Sequence, residues 1–145
     1  MYSSLEDSYV SMIPQEELEL DNRIADIEKR LFEWTSVDRE TNYENTETWL
    51  AVATGVYGFF KQRYGRLEVL TDIAMSKNYS DMRKSTESVG GKFVAAHATR
   101  EVELEYAEQR YFVKFYKSGY ERAEQVINTL KHLMKRQEIK GGYNG

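Results

Sequence analysis

Phe59-Phe60-Lys61-Gln62-Arg63-Tyr64-Gly65-Arg66 sets three cations among three aromatic rings within eight residues. Ammonium and guanidinium groups neutralise phosphates, and rings stack on bases. Together these are the ingredients of single-stranded nucleic-acid binding. Lys61, Arg63 and Arg66 can point outward while Phe60 and Tyr64 point to a core. More bases follow at Lys77, Arg83, Lys84 and Lys92. A plainer role is open to the same pattern, because long basic side chains beside core aromatics also keep a helix soluble.

Other chemistry is sparse. Without cysteine there is no disulfide framework, no thiol nucleophile and no cysteine zinc site. His97 shares a helical face with Glu101, but the Glu-x-x-His spacing of di-iron bundles is missing, so no metal or cofactor is expected. Neither a Gly-x-x-x-x-Gly-Lys-Ser/Thr nor a Gly-x-Gly-x-x-Gly phosphate loop occurs. Glu105/Glu108 and Glu121/Glu124 resemble half of the magnesium motif of all-helical nucleotide pyrophosphatases. Such enzymes need carboxylates converging from two helices, whereas both pairs fall on one helix here. The chain is therefore expected not to be an enzyme.

The elements that position these residues follow from periodicity. Val102, Tyr106, Gln109, Val113, Tyr116, Tyr120, Ala123, Ile127, Leu130 and Met134 recur at alternating three- and four-residue steps. That is a heptad seam, and it predicts one very long C-terminal helix over 93–137. Leu20, Ile24, Ile27, Leu31 and Trp34 predict a helix over 15–34, opened by Pro14 and the acids Glu16, Glu17 and Glu19. Thr41 with Glu44 has capping-box spacing, with Asn45 or Thr46 as alternatives. The next helix, over 43–75, carries Trp49, Ala53, Val56, Phe60, Tyr64, Leu67 and Leu70 on one face. Gly55 and Gly58 weaken it and would suit close helix approach.

Residues 76–92 read as a polar loop with Gly90-Gly91 as a hinge or helix lead-in. Residues 1–13 read as a flexible arm and 138–145 as a flexible tail. The expected fold is all-α: a single domain of three main helices with bundle or coiled-coil packing. The long helix has more apolar length than the other two can cover. Self-association through Val113, Tyr116, Tyr120, Ile127, Leu130 and Met134 is therefore expected.

The net charge of −4 hides a gradient. Residues 1–50 carry thirteen acids and four bases, and the remainder carries sixteen bases and eleven acids. A polyanion can bind the later part of an acidic chain. The N-terminus lacks the basic start of a secretory signal, and no apolar run reaches the roughly 20 residues of a membrane helix. A cytoplasmic protein without a membrane partner is the expectation.

In layout and residue character, residues 50–138 resemble the UvsY-like recombination mediators of tailed phages. The resemblance rests on the Lys-x-Arg within Phe60-Lys61-Gln62-Arg63-Tyr64, on the polar segment followed by KSTESVGGKFVAAHA, and on the closing EVELEYAEQRYFVKFYKSGYERAEQVINTLKHLMKRQE. It implies a small all-helical protein that loads a RecA-like recombinase onto single-stranded DNA covered by single-strand binding protein. Lys61 and Arg63 match the family's basic DNA-binding pair. The long helix matches its oligomerising region, and the family assembles rings. The acidic first fifty residues lie outside the resemblance. Under this expectation Lys61, Arg63 and Arg66 hold phosphates, supported by Arg83, Lys84 and Lys92, in DNA recombination and repair. The competing expectation is a phage-encoded helical interaction module, such as an inhibitor, scaffold or virion component, with no nucleic-acid role.

Overall fold

A computed structural model describes residues 9, 12–33 and 43–144. Among them it shows four helices and no strand: α1 (Gln15–Glu33), α2 (Tyr43–Ser88), α3 (Ala95–Glu105) and α4 (Ala107–Asn144). The all-helical class follows from a chain with one proline and sustained heptads. Most of the expected arm (residues 1–8, 10 and 11), Trp34 and the Thr41 cap lie outside the described residues. The tail expected to fray is helical as far as Asn144.

Three boundaries differ from those periodicity predicts. First, α2 continues through residues 76–88. From Met75 onward its inward positions are Met75, Asn78, Met82 and Thr86, with Tyr79 beside Asn78, all half-buried. The first four keep three- and four-residue steps, but polar members hide the period. Asn78 donates to the Glu105 carboxylate (2.5 Å), and Arg83 pairs with Glu87 one turn on (3.3 Å). Second, α2 ends in a glycine cap and not a hinge. The Gly91 N–H donates to the Thr86 carbonyl (3.0 Å) and the Gly90 N–H to that of Glu87 (3.1 Å). Gly90 has φ +74°, the left-handed conformation this closure requires. Third, the expected single C-terminal helix breaks at Tyr106, where φ is −102° and ψ 20°. Backbone bonds from Tyr106 to Val102 (3.1 Å) and from Arg110 to Tyr106 (3.0 Å) carry the ladder across. No proline or glycine explains this bend.

The chain divides into two compact units, one of residues 1–12 and 62–115, the other of residues 13–61 and 116–145. The second holds the larger core. Ile24, Ile27 and Leu31 of α1, Ala53, Val56 and Phe60 of α2, and Ala123, Val126, Ile127, Leu130 and Leu133 of α4 are buried there. Glu17 is buried too, and the Tyr116 hydroxyl donates to its carboxylate (2.5 Å). Arg122 forks between Asp21 (3.1 Å) and Glu28, tying α4 to α1. The hydrogen bond to Glu28, and then Asp21, raise its guanidinium above the ordinary arginine range.

Gly119 supplies the close approach in this unit. A Cβ there would stand 2.3 and 2.6 Å from ring atoms of Phe60. Gly55 and Gly58, the glycines expected to serve that purpose, have nothing within 4 Å of such an atom.

The other unit is thinly filled. Its buried residues are Thr71, Ala98 and Val102 among those described. Half-buried aromatics supply most of its packing, including Tyr9 against Tyr111 (centroids 5.3 Å) and Tyr79 edge-on to Phe93 (5.4 Å). Thr71, not Leu70, takes the inward position because it lies seven residues after Tyr64. Two helical turns of 3.6 residues bring it back to nearly the same side, while Leu70 is about 120° round. The Thr71 hydroxyl is buried with no hydrogen-bond partner. Thr71→Val keeps the shape and removes the orphan, so it should stabilise by about 1 kcal/mol. A urea midpoint that falls in this variant would show that the hydroxyl has a partner.

Candidate nucleic-acid interface

The cations of residues 62–94 divide between a helix face and a helix end. On α2, Arg63, Arg66, Leu70, Ile73, Lys77, Ser80 and Lys84 follow each other at steps of three and four residues, and all are exposed. This stripe lies opposite the inward line of Tyr64, Thr71, Met75, Asn78 and Met82. It spans about 30 Å at 1.5 Å per residue. Leu70 and Ile73 are 54% and 61% exposed, so the stripe is amphipathic as well as basic. Asp81 falls between Lys77 and Lys84 and reduces its charge.

At the C-terminal end of α2, Arg83 lies over the Phe93 ring, 5.6 Å from its centroid. The Gly90-Gly91 cap turns the chain so that Lys92 and Phe93 follow directly. Arg83, Lys84 and Lys92 are all exposed. His97 faces Glu101 at 4.0 Å and is exposed. Among the described residues no group of three or more His, Asp or Glu side chains could hold a metal ion.

Lys61 belongs to the other unit. It is two residues from Arg63, a spacing that points the two side chains to different faces of a helix. Its ammonium donates to the Tyr57 hydroxyl (2.7 Å). Chiefly that hydrogen bond, with help from Glu124 and Tyr120, holds it above the ordinary lysine range. A raised value means the charged contact is complete at neutral pH and is lost only as pH climbs past the folded value. Phe60, beside it, is fully buried, while Arg63 and Arg66 are exposed and Tyr64 is half-buried.

The residues expected to join copies of the chain are largely engaged within it. Ile127 and Leu130 are buried. Tyr116 is half-buried, with its ring 5.9 Å from that of Phe60, and Tyr120 stands edge-on to Tyr57 at 6.1 Å. Val113 and Met134 are half-buried. Periodicity shows that such a face is covered but not by what, and here Phe60 and Tyr57 of α2 and Glu17 of α1 meet Tyr116 and Tyr120.

The chain matches no known protein family, no curated protein and no solved structure. No helix among the described residues is long and apolar enough to cross a membrane.

Residue type alone marks Arg63, Arg66, Arg83, Lys84 and Lys92 as candidates, but not Tyr79 and Phe93, whose rings meet edge-on at the same helix end. The signal for Tyr79 was its four-residue spacing from Arg83, meaningful only once residues 76–88 are helical. Phe93 carried no such signal, because a chain reversal brings it back to that helix end.

Proposed function

We propose that this chain is a single-stranded DNA-binding accessory protein that does no covalent chemistry. The observation that carries the reading is the exposed stripe of Arg63, Arg66, Lys77 and Lys84 on one face of α2, with Arg83 and Lys92 at its end. A row of cations along one helix face tracks a phosphate backbone and reads no sequence. Within this reading the chain acts as a phage-type recombination mediator in the cytoplasm, helping a RecA-like recombinase displace single-strand binding protein. The acidic first fifty residues would then face a basic protein partner. Several copies acting together, as in a ring, would compensate for weak single sites.

The exposed Leu70 and Ile73 favour a second reading, in which the same face binds a protein helix and no nucleic acid. Titration of a labelled oligothymidylate at several salt concentrations separates the two. DNA binding should weaken linearly in log–log coordinates, with a slope of about −0.7 per phosphate neutralised. No measurable binding at 50 mM salt, on the order of the lowest concentration at which such contacts are usually compared, would leave the protein-interaction reading.

A further inference from the structure

Beside the glycine cap of α2 lies an open cavity of about 170 Å³, lined by Met82, Thr86, Lys92, Phe93, Val94, His97 and Ala98. Its walls are mostly apolar, with an ammonium and an imidazole among the lining groups. Arg83 stands nearby over the Phe93 ring. The size decides what fits. One water occupies about 30 Å³ of liquid, and drug-sized ligands take roughly 300 Å³ or more. A cavity of about 150 Å³ is known to admit benzene, a single six-membered ring.

From this geometry we infer that the cavity receives one pyrimidine base of a bound single strand. The base enters against the Phe93 ring and Met82, a flat group against a flat group and a polarisable sulfur. Lys92 holds the adjacent phosphate. Among the described residues Arg83 is tied on the surface to Glu87 at 3.3 Å and to the ring face, so it can turn to a second phosphate. His97 offers a donor or an acceptor to the base edge. This inference rests on the DNA-binding reading and adds a base contact to a surface that otherwise meets only phosphates. It makes the end of α2 an anchoring point for the strand.

The test compares three oligonucleotides of equal length on the full chain at fixed salt: oligothymidylate, oligoadenylate and an abasic backbone with the same phosphates. Stacking a base on an aromatic ring contributes roughly five- to hundredfold in affinity, so the abasic strand should bind weaker than oligothymidylate by such a factor. Oligoadenylate should fall between them. Phe93→Leu should bring oligothymidylate down toward the abasic level, and a 5-iodouracil strand should photo-crosslink to Phe93. Should Phe93→Leu fail to fold, the abasic comparison and the cross-link, both made on the wild type, still decide. Equal affinity for oligothymidylate and the abasic strand overturns the pocket while leaving DNA binding intact. Oligoadenylate binding as tightly as oligothymidylate overturns the single-ring assignment. Failure of all three strands to bind overturns the inference together with the reading beneath it.

Discussion

Gly119→Ala should lower the melting temperature sharply, and Gly58→Ala should raise it. At Gly119 the added methyl would sit 2.3 and 2.6 Å from Phe60 ring atoms, closer than real Cβ contacts come. The ring cannot easily yield. Phe60 is fully buried, with Tyr116 at 5.9 Å and Phe59 at 5.8 Å between centroids. Overpacking of this kind costs about 1–3 kcal/mol, occasionally more. That is a large share of the roughly 5–15 kcal/mol that holds a domain folded. At Gly58 the same methyl meets nothing within 4 Å, so only the unfolded chain feels the change and about 0.5–1 kcal/mol should be gained. Thermal melts of both variants by circular dichroism make the comparison. A double variant, Phe60→Leu with Gly119→Ala, should recover part of the loss, because the smaller side chain vacates the contested space. A Gly119→Ala protein that melts with the wild type would mean that α4 and the Phe60 ring are not in contact.

The second large effect is electrostatic. Replacing Arg66, Lys77 and Lys84 together with Ala should flatten the salt dependence of oligothymidylate binding by about 2.1 in log–log slope, at 0.7 for each complete phosphate contact. Affinity at low salt should fall by orders of magnitude. These side chains are exposed, so stability should change by no more than about 0.5 kcal/mol for each. Lys61→Ala is the discriminating companion. Its ammonium is already engaged by the Tyr57 hydroxyl, and its position faces away from Arg63. The α2 stripe predicts a smaller effect from it than from the triple variant. If Lys61→Ala flattens the slope and the triple variant does not, the binding face has been assigned to the wrong side of the helix.

How far these features were legible in the sequence depended on the kind of residue involved. The first helix and the start of the second were readable because Ile24, Ile27, Leu31, Ala53, Val56 and Phe60 are apolar at helical spacing and are in fact buried. The continuation of α2 was not, because Asn78 and Thr86 occupy inward positions where apolar side chains are expected. Thr71 and Leu70 exchanged roles for the same reason: helical phase places a residue, and hydrophobicity only reports the usual result. Gly119 lies off the heptad seam and nothing in the periodicity marks it, yet its missing side chain is what admits Phe60. The cations of the candidate site were visible as types. Their division between one helix face, one helix end and the separate Lys61 needed the backbone.

The sparse burial around Thr71, Ala98 and Val102 has a further consequence for how this molecule behaves in solution. Amides in regions with few buried apolar contacts exchange with solvent through local openings that cost far less than global unfolding. Within the long helix α2, protection against deuterium should therefore fall after about residue 61, although the helix itself continues. A ligand that binds only the closed form adds its own binding free energy to that form by mass action. A nucleic-acid strand lying on the Arg63–Lys84 stripe would then protect the amides beneath it, and the half of α2 with the smaller core would gain the most order on binding.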